Sequence, residues 1–226
     1  MLIHIILFKT HRNISRYLGK QLFKSILAIS AILLSLFSLH IQAAELTVDV
    51  IDMAGLPVEN AVVYAEPDNP VAMPQAAAMI EQRGKQFNPL VSVIQTGSDV
   101  TFPNFDSVRH HVYSFSPAKT FELKLYSGVP TSPIKFDKAG TVVLGCNIHD
   151  TMVAFIQVVD TPYFTKSNKL GKAVLRDLPN GGYTLKVWHY ALAKEKEVVE
   201  KKLLVKESQP VVMQLSLKPF IIPARK

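Results

Sequence analysis

From residue 45 onward the chain alternates between apolar and polar positions. In "ELTVDVID" (45–52), Leu46, Val48 and Val50 fall on one face and Glu45, Thr47 and Asp49 on the other, as in a half-buried strand. The turn-forming "MAGLPVEN" (53–60) leads into a second strand, "AVVYAEP" (61–67). The rhythm then breaks over 67–89, where prolines mark a connector and "AAAMIEQR" (76–83) is expected as a short helix. Strands resume at 90–96 and 99–104, then at 110–116, 121–126, 132–137, 141–146 and 153–160. The last third predicts strands at 172–178, 183–192, 197–207 and 210–218, with the turn "PNGG" at 179–182 and a frayed end at 220–226. Short strands at regular spacing, with no internal repeat, predict an all-β fold of one or two sandwiches.

Composition adds little to that picture until charge is mapped along the chain. The 226 residues are 48% hydrophobic and 19% charged, ordinary material for a packed core. The net charge of +7 is uneven. Five of the 25 basic residues, Lys9, Arg12, Arg16, Lys20 and Lys24, lie in 1–43 with no acid among them; the rest carries 20 basic and 18 acidic residues. The stretch 1–43 reads as an export leader: a basic segment to Lys24, the apolar "SILAISAILLSLFSL", and a small-residue cleavage site after Ala43. An uncleaved anchor is the alternative, although the apolar run is short of the about 20 residues of a full span. Export places the chain in a periplasm-like compartment, with membrane contact only if the leader is kept. The mixed-sign run "KEKEVVEKK" (194–202) reads as a solvated edge, and no basic stripe carries stacked aromatics, so nucleic acid is not an expected partner.

Export changes the meaning of the one cysteine. In "GCNIHDTM" (145–152), Cys146 is followed by His149 and Met152. A lone buried cysteine is ordinarily inert core, yet in an oxidising compartment a free thiol is open to oxidation or wrong pairing unless a metal holds it. Thiolate and imidazole together suit copper or zinc, and methionine argues against a closed zinc site. A blue-copper centre takes two histidines, one cysteine and a weak, distant methionine. The second histidine is available upstream in "NFDSVRHHVYSFS" (104–116), as His110 or His111. Neighbouring strand residues face opposite ways, so both cannot serve one ion in a regular strand. No nucleophile elbow accompanies Cys146 and no C-x-x-C-H is present, which sets aside a cysteine hydrolase and covalent haem.

These segments resemble cupredoxins. "VTFPNFDSVRHHVYSF" is similar to their first-ligand strand, N-x-D-x-x-P-H-x-V, and "GCNIHDTM" to their C-x-x-H-x-x-M loop. The resemblance covers about 85–160 and implies a Greek-key β-sandwich holding one type 1 copper at His110, Cys146, His149 and Met152, with His111 as the alternative first ligand. Val112 matches the valine of H-x-V, which favours His110. Two positions depart from the pattern: Arg109 stands where proline is usual, and His111 where many members have asparagine. Both departures leave the copper potential unspecified.

The flanks carry a second resemblance. "LTVDVIDMAGLPVENAVVYA" and "GKAVLRDLPNGGYTLKVWHY" are similar to the two halves of a small transthyretin-like, carboxypeptidase-regulatory-type sandwich. The whole resembles exported methylamine-utilisation-like proteins. The division that follows is a leader 1–43, an N-terminal hairpin 44–66 belonging with the C-terminal sandwich, a connector 67–84, a copper domain 85–160, a transthyretin-like sandwich 161–218 and a tail 219–226. Insertion of the copper domain into the second sandwich and two consecutive domains are both open arrangements. The implied role is a non-enzymatic electron carrier working with a periplasmic redox protein and no small-molecule substrate. Copper handling, or a binding or scaffold module with a secondary copper site, are the alternatives.

Overall fold

The computed structural model describes residues 44–219, apart from 75 and 194–197. The expected leader and its cleavage site, most of the tail and the start of the mixed-charge run therefore lie outside the described residues. The strands are β1 (Ala44–Asp52), β2 (Val62–Pro67), β3 (Ala77–Met79), β4 (Glu81–Gln82), β5 (Phe87–Asn88), β6 (Val91–Gln95), β7 (Ser98–Thr101) and β8 (His110–Ser116). They continue as β9 (Lys119–Tyr126), β10 (Ile134–Phe136), β11 (Gly140–Gly145), β12 (Val153–Val159) and β13 (Phe164–Lys166). The last four are β14 (Lys172–Leu178), β15 (Gly181–Trp188), β16 (Val199–Val205) and β17 (Gln209–Leu215). The described chain is all-β, and none of its residues forms a helix long and apolar enough to cross a membrane.

The two ends of the chain build one pair of facing sheets. β1 pairs antiparallel with β14 and parallel with β17, giving the order β14-β1-β17. β2 lies between β13 and β15 in the order β13-β2-β15-β16. The alternation of β1 turns Leu46, Val48 and Val50 inward, where they meet Val63, Ala65, Leu185 and Val187 of the opposite sheet. The segment between these ends forms a five-stranded sheet, β6-β12-β11-β8-β9, facing a three-stranded one, β10-β7-β3. Val100, Phe102, Phe136, Val142, Leu144 and Ile156 fill the space between them. Each fully buried side chain of this size contributes about 1.5–3 kcal/mol relative to exposure.

The two pairs of sheets also pack on each other, which explains two runs that do not alternate. In β2, Val63 and Ala65 face their own core, while Val62 and Tyr64 face outward and are buried all the same. In β12, Ala154, Ile156 and Val158 face inward, while Phe155 and Val159 join Val62, Tyr64, Leu90, Val91 and Trp188 in a third cluster. The Phe155 ring stacks on Tyr190 at 5.0 Å and 14°. Strands buried on both faces read as continuous apolar runs.

Three expectations are corrected. The segment 76–83 is not helical: β3 pairs in parallel with β7, Ala78 with Val100, and β4 pairs with β5. Its alanines favour a helix, but eight residues give a marginal helix at best, and pairing with β7 wins. Residues 44–66 are not a hairpin, because β1 and β2 lie in different sheets and the turn between them is a corner. The same holds for the hairpin that the transthyretin-like pattern implies around "PNGG": this turn joins β14 in one sheet to β15 in the other. Strand β13, against β2, carries no alternation in so short a run and was not foreseen.

Candidate metal centre

His110 opens β8, and a register shift between His110 and Val112 sets it apart from the rest of the strand. Cys146 follows directly on β11, and β12 begins at Val153, so His149 and Met152 lie on the short loop joining two paired strands. Gly145, just before the cysteine, is opposite Tyr113 of β8, and this pairing ties the two halves of the site together. The loop closes on itself where the Met152 N–H donates to the His149 carbonyl at 2.9 Å.

One ring nitrogen each from His110 and His149 and the Cys146 sulfur all lie within 4.8 Å of one another. His110 and Cys146 are buried and His149 is half-buried. The two imidazoles meet edge to face, with centroids 5.0 Å apart. Nδ1 of His110 and Nδ1 of His149 are both buried without a hydrogen-bond partner. A buried polar atom left unpaired costs about 1–3 kcal/mol, and one shared ion would satisfy both nitrogens together with the thiol. Three donors around one ion at about 2.1 Å in a trigonal plane stand about 3.6 Å apart, which the observed cluster accommodates. The residues present fit a copper ion. Met152 is buried in the same apolar core cluster as Cys146.

His111 lies outside this cluster. Its ring packs 5.4 Å from Tyr113, and its Nε2 is 2.9 Å from Glu122 Oε1, within ion-pair distance but off the axis of a hydrogen bond. His189 is also remote: it is buried beside Tyr190, with its Nδ1 accepting the Ala191 N–H. The unforeseen member of the site is Asp106. Its Oδ2 lies 2.8 Å from His110 Nε2, and its oxygens accept the backbone N–H of Gly84 at 2.7 Å and of Lys85 at 2.8 Å. Its sequence signals are its place four residues before His110 and its match to the aspartate of the N-x-D-x-x-P-H-x-V pattern.

Electrostatics suit a donor set. Burial, reinforced by His110 and Lys85, holds the His149 imidazole below the ordinary histidine range, so it is neutral at pH 7 with a lone pair to give. Burial pushes the Asp106 carboxyl up, but the Lys85 N–H, the His110 ring and the Gly84 N–H outweigh it, and the net shift is downward. Behind the site, burial raises the Tyr126 phenol to about 12, with the Gln82 amide opposing and the Cys146 thiol adding to the rise. Tyr126 donates to the Phe102 carbonyl at 2.5 Å and remains a neutral wall.

The chain is similar, over part of its length, to solved copper proteins. With a copper-containing nitrite reductase from Thermus scotoductus it shares 21% identity and a TM-score of 0.36, over 50% of this chain and 28% of the reductase. With a purple cupredoxin from Nitrosopumilus maritimus the values are 24% and 0.30, over 36% of this chain and 99% of that one. With a single-residue mutant of amicyanin, in its reduced Cu(I) form at pH 4, they are 17% and 0.34, over 42% and 99%. The likeness is to the cupredoxin fold. No family model matches the chain, and no curated protein is significantly similar to it. The expectation of a non-enzymatic protein is corrected: an enzyme stands among the structures the chain resembles. The physical reason is general, since one fold serves carriers and catalysts alike.

Proposed function

We propose that this chain is an exported type 1 copper protein that passes single electrons between periplasmic redox partners. The observation that carries the reading is the convergence of one ring nitrogen from each of two histidines, both with a buried, unpartnered Nδ1, on a buried thiol. Bound copper supplies a one-electron couple there. His110, Cys146 and His149 would hold it at the end of β8 and on the short loop between the paired strands β11 and β12, with Met152 of the same loop as a weak further donor, so little would need to rearrange between oxidation states. Ile148, next to His149 in the ligand loop, is an exposed apolar side chain that offers a partner a dry contact. The pairing of β1 with β14 and β17, and of β2 with β13 and β15, supports a copper domain inserted into a second, transthyretin-like sandwich. With that composite goes the resemblance of the whole chain to exported methylamine-utilisation-like proteins.

The test is reversible exchange. Copper-loaded protein should take one electron per chain from dithionite and return it to ferricyanide through repeated cycles, and Cys146→Ser should exchange none. Loss of the metal on the first reduction would sink the electron-transfer reading and favour copper delivery.

A further inference from the structure

The carboxylate of Asp106 is held more firmly than its place in a loop requires. β4 and β5 form a hairpin, Glu81 opposite Asn88 and Gln82 opposite Phe87, whose two tip residues are both left-handed, Gly84 at φ 62° and Lys85 at φ 57°. Such a tip is a type I′ turn, and a lysine in that conformation is unfavourable by itself. Here the turn aims two successive N–H groups at the two oxygens of Asp106. From the other side, Asn104 Oδ1 accepts the Asp106 N–H at 2.9 Å, and Asn104 Nδ2 donates to the carbonyls of Val108 and Tyr126, both at 2.9 Å. The carboxylate thus receives two backbone N–H groups, which favour its ionised form, and an ionised carboxylate can only accept from the His110 ring 2.8 Å away.

We propose that Asp106 is a positioning residue that fixes His110 in the Nε2–H tautomer, presents its Nδ1 lone pair to the Cys146 thiol, and biases bound copper toward Cu(II). The first half stands on hydrogen-bond chemistry alone. An anionic acceptor at 2.8 Å requires the proton on Nε2, and His110 is wholly buried, so no water competes for the ring. The second half rests on the copper reading of the site. A carboxylate behind a ligating imidazole makes the ring a stronger donor and adds a negative charge, both of which favour the more highly charged ion.

Two measurements on the full chain separate the halves. In the metal-free protein, long-range 15N–1H correlation of the histidine rings should show His110 protonated at Nε2 only, and Asp106→Ala should lose that single tautomer. In the copper-loaded protein, Asp106→Asn keeps an acceptor but removes the charge. It should raise the Cu(I)/Cu(II) ratio at fixed potential about tenfold, the lower end of what outer partners contribute, equivalent to about 59 mV. A wild-type His110 protonated at Nδ1 overturns the proposal whether or not any variant folds. A ratio within threefold of wild type in both variants overturns its redox half. A wild type that takes up no copper overturns the copper reading and the redox half with it, while the tautomer still decides the first half.

Discussion

Gly145 offers a sharp test of how the site is assembled. An ideal Cβ placed there would lie 2.6 Å from Tyr113 Cζ, 2.7 Å from its hydroxyl and 3.0 Å from Cε2. Ordinary carbon contacts are about 3.5–4.0 Å, so in Gly145→Ala the Tyr113 ring must retreat by about 1 Å. The ring is flanked by His111 at 5.4 Å and Phe115 at 5.1 Å, which limits where it can go. Overpacking of this kind costs about 1–3 kcal/mol. The backbone of Gly145 is not left-handed, so alanine also brings about 0.4–1 kcal/mol of relief through the unfolded chain. The expected net loss is about 1–2 kcal/mol. In a Tyr113→Ala background the clash is gone and only the relief remains, so Gly145→Ala should become neutral or stabilising. Urea denaturation of the four proteins, with unchanged m-values, reads the coupling as about 2 kcal/mol of non-additivity. Additivity within about 0.5 kcal/mol would refute the packing of Tyr113 on the backbone beside Cys146.

Other expectations follow from single contacts. Burial holds the His189 imidazole down at about 4 against an ordinary 6.5, with the hydrogen bond to Glu59 opposing. The folded state therefore lacks a proton that the unfolded chain takes up: stability is complete above pH 6.5 and falls toward pH 4 by about 3 kcal/mol in all. His189→Gln should flatten that part of the denaturation profile, and an unchanged acid slope would show that His189 is not its source. Phe155→Ala removes the ring stacked on Tyr190 between the two pairs of sheets and should cost about 3–5 kcal/mol in urea unfolding; a loss below about 1 kcal/mol would mean that the contact is slack. His110→Ala should abolish copper binding in a calorimetric titration while His111→Ala retains it, and the reverse order would exchange their roles.

How much was legible depended on whether the relevant contact was local. The alternation of "ELTVDV" marked β1, and the spacing of Cys146, His149 and Met152 marked a loop able to turn several donors to one point. The continuous run through Val62, Val63 and Tyr64 announced a strand but not its reason, which is that Tyr64 faces a second body of the same chain. Residues 76–83 misled because their alanines speak for a helix, whereas their structure is decided by β7, about twenty residues on. The corners after β1 and β14 look like hairpins because turn chemistry records a reversal of the chain and not which sheet receives it. Asp106 could be seen as an acid four residues before a histidine. Its clamp could not, since Gly84 and Lys85 come from a separate hairpin.

The central claim is that His110, Cys146 and His149 form one copper site. Stepwise addition of Cu(II) to the metal-free protein, followed in the visible spectrum, tests it most directly. An intense thiolate-to-copper charge-transfer band that saturates at one ion per chain, disappears in Cys146→Ser and protects the thiol from alkylation is the predicted result. A colourless protein whose Cys146 alkylates as readily with copper as without would contradict it.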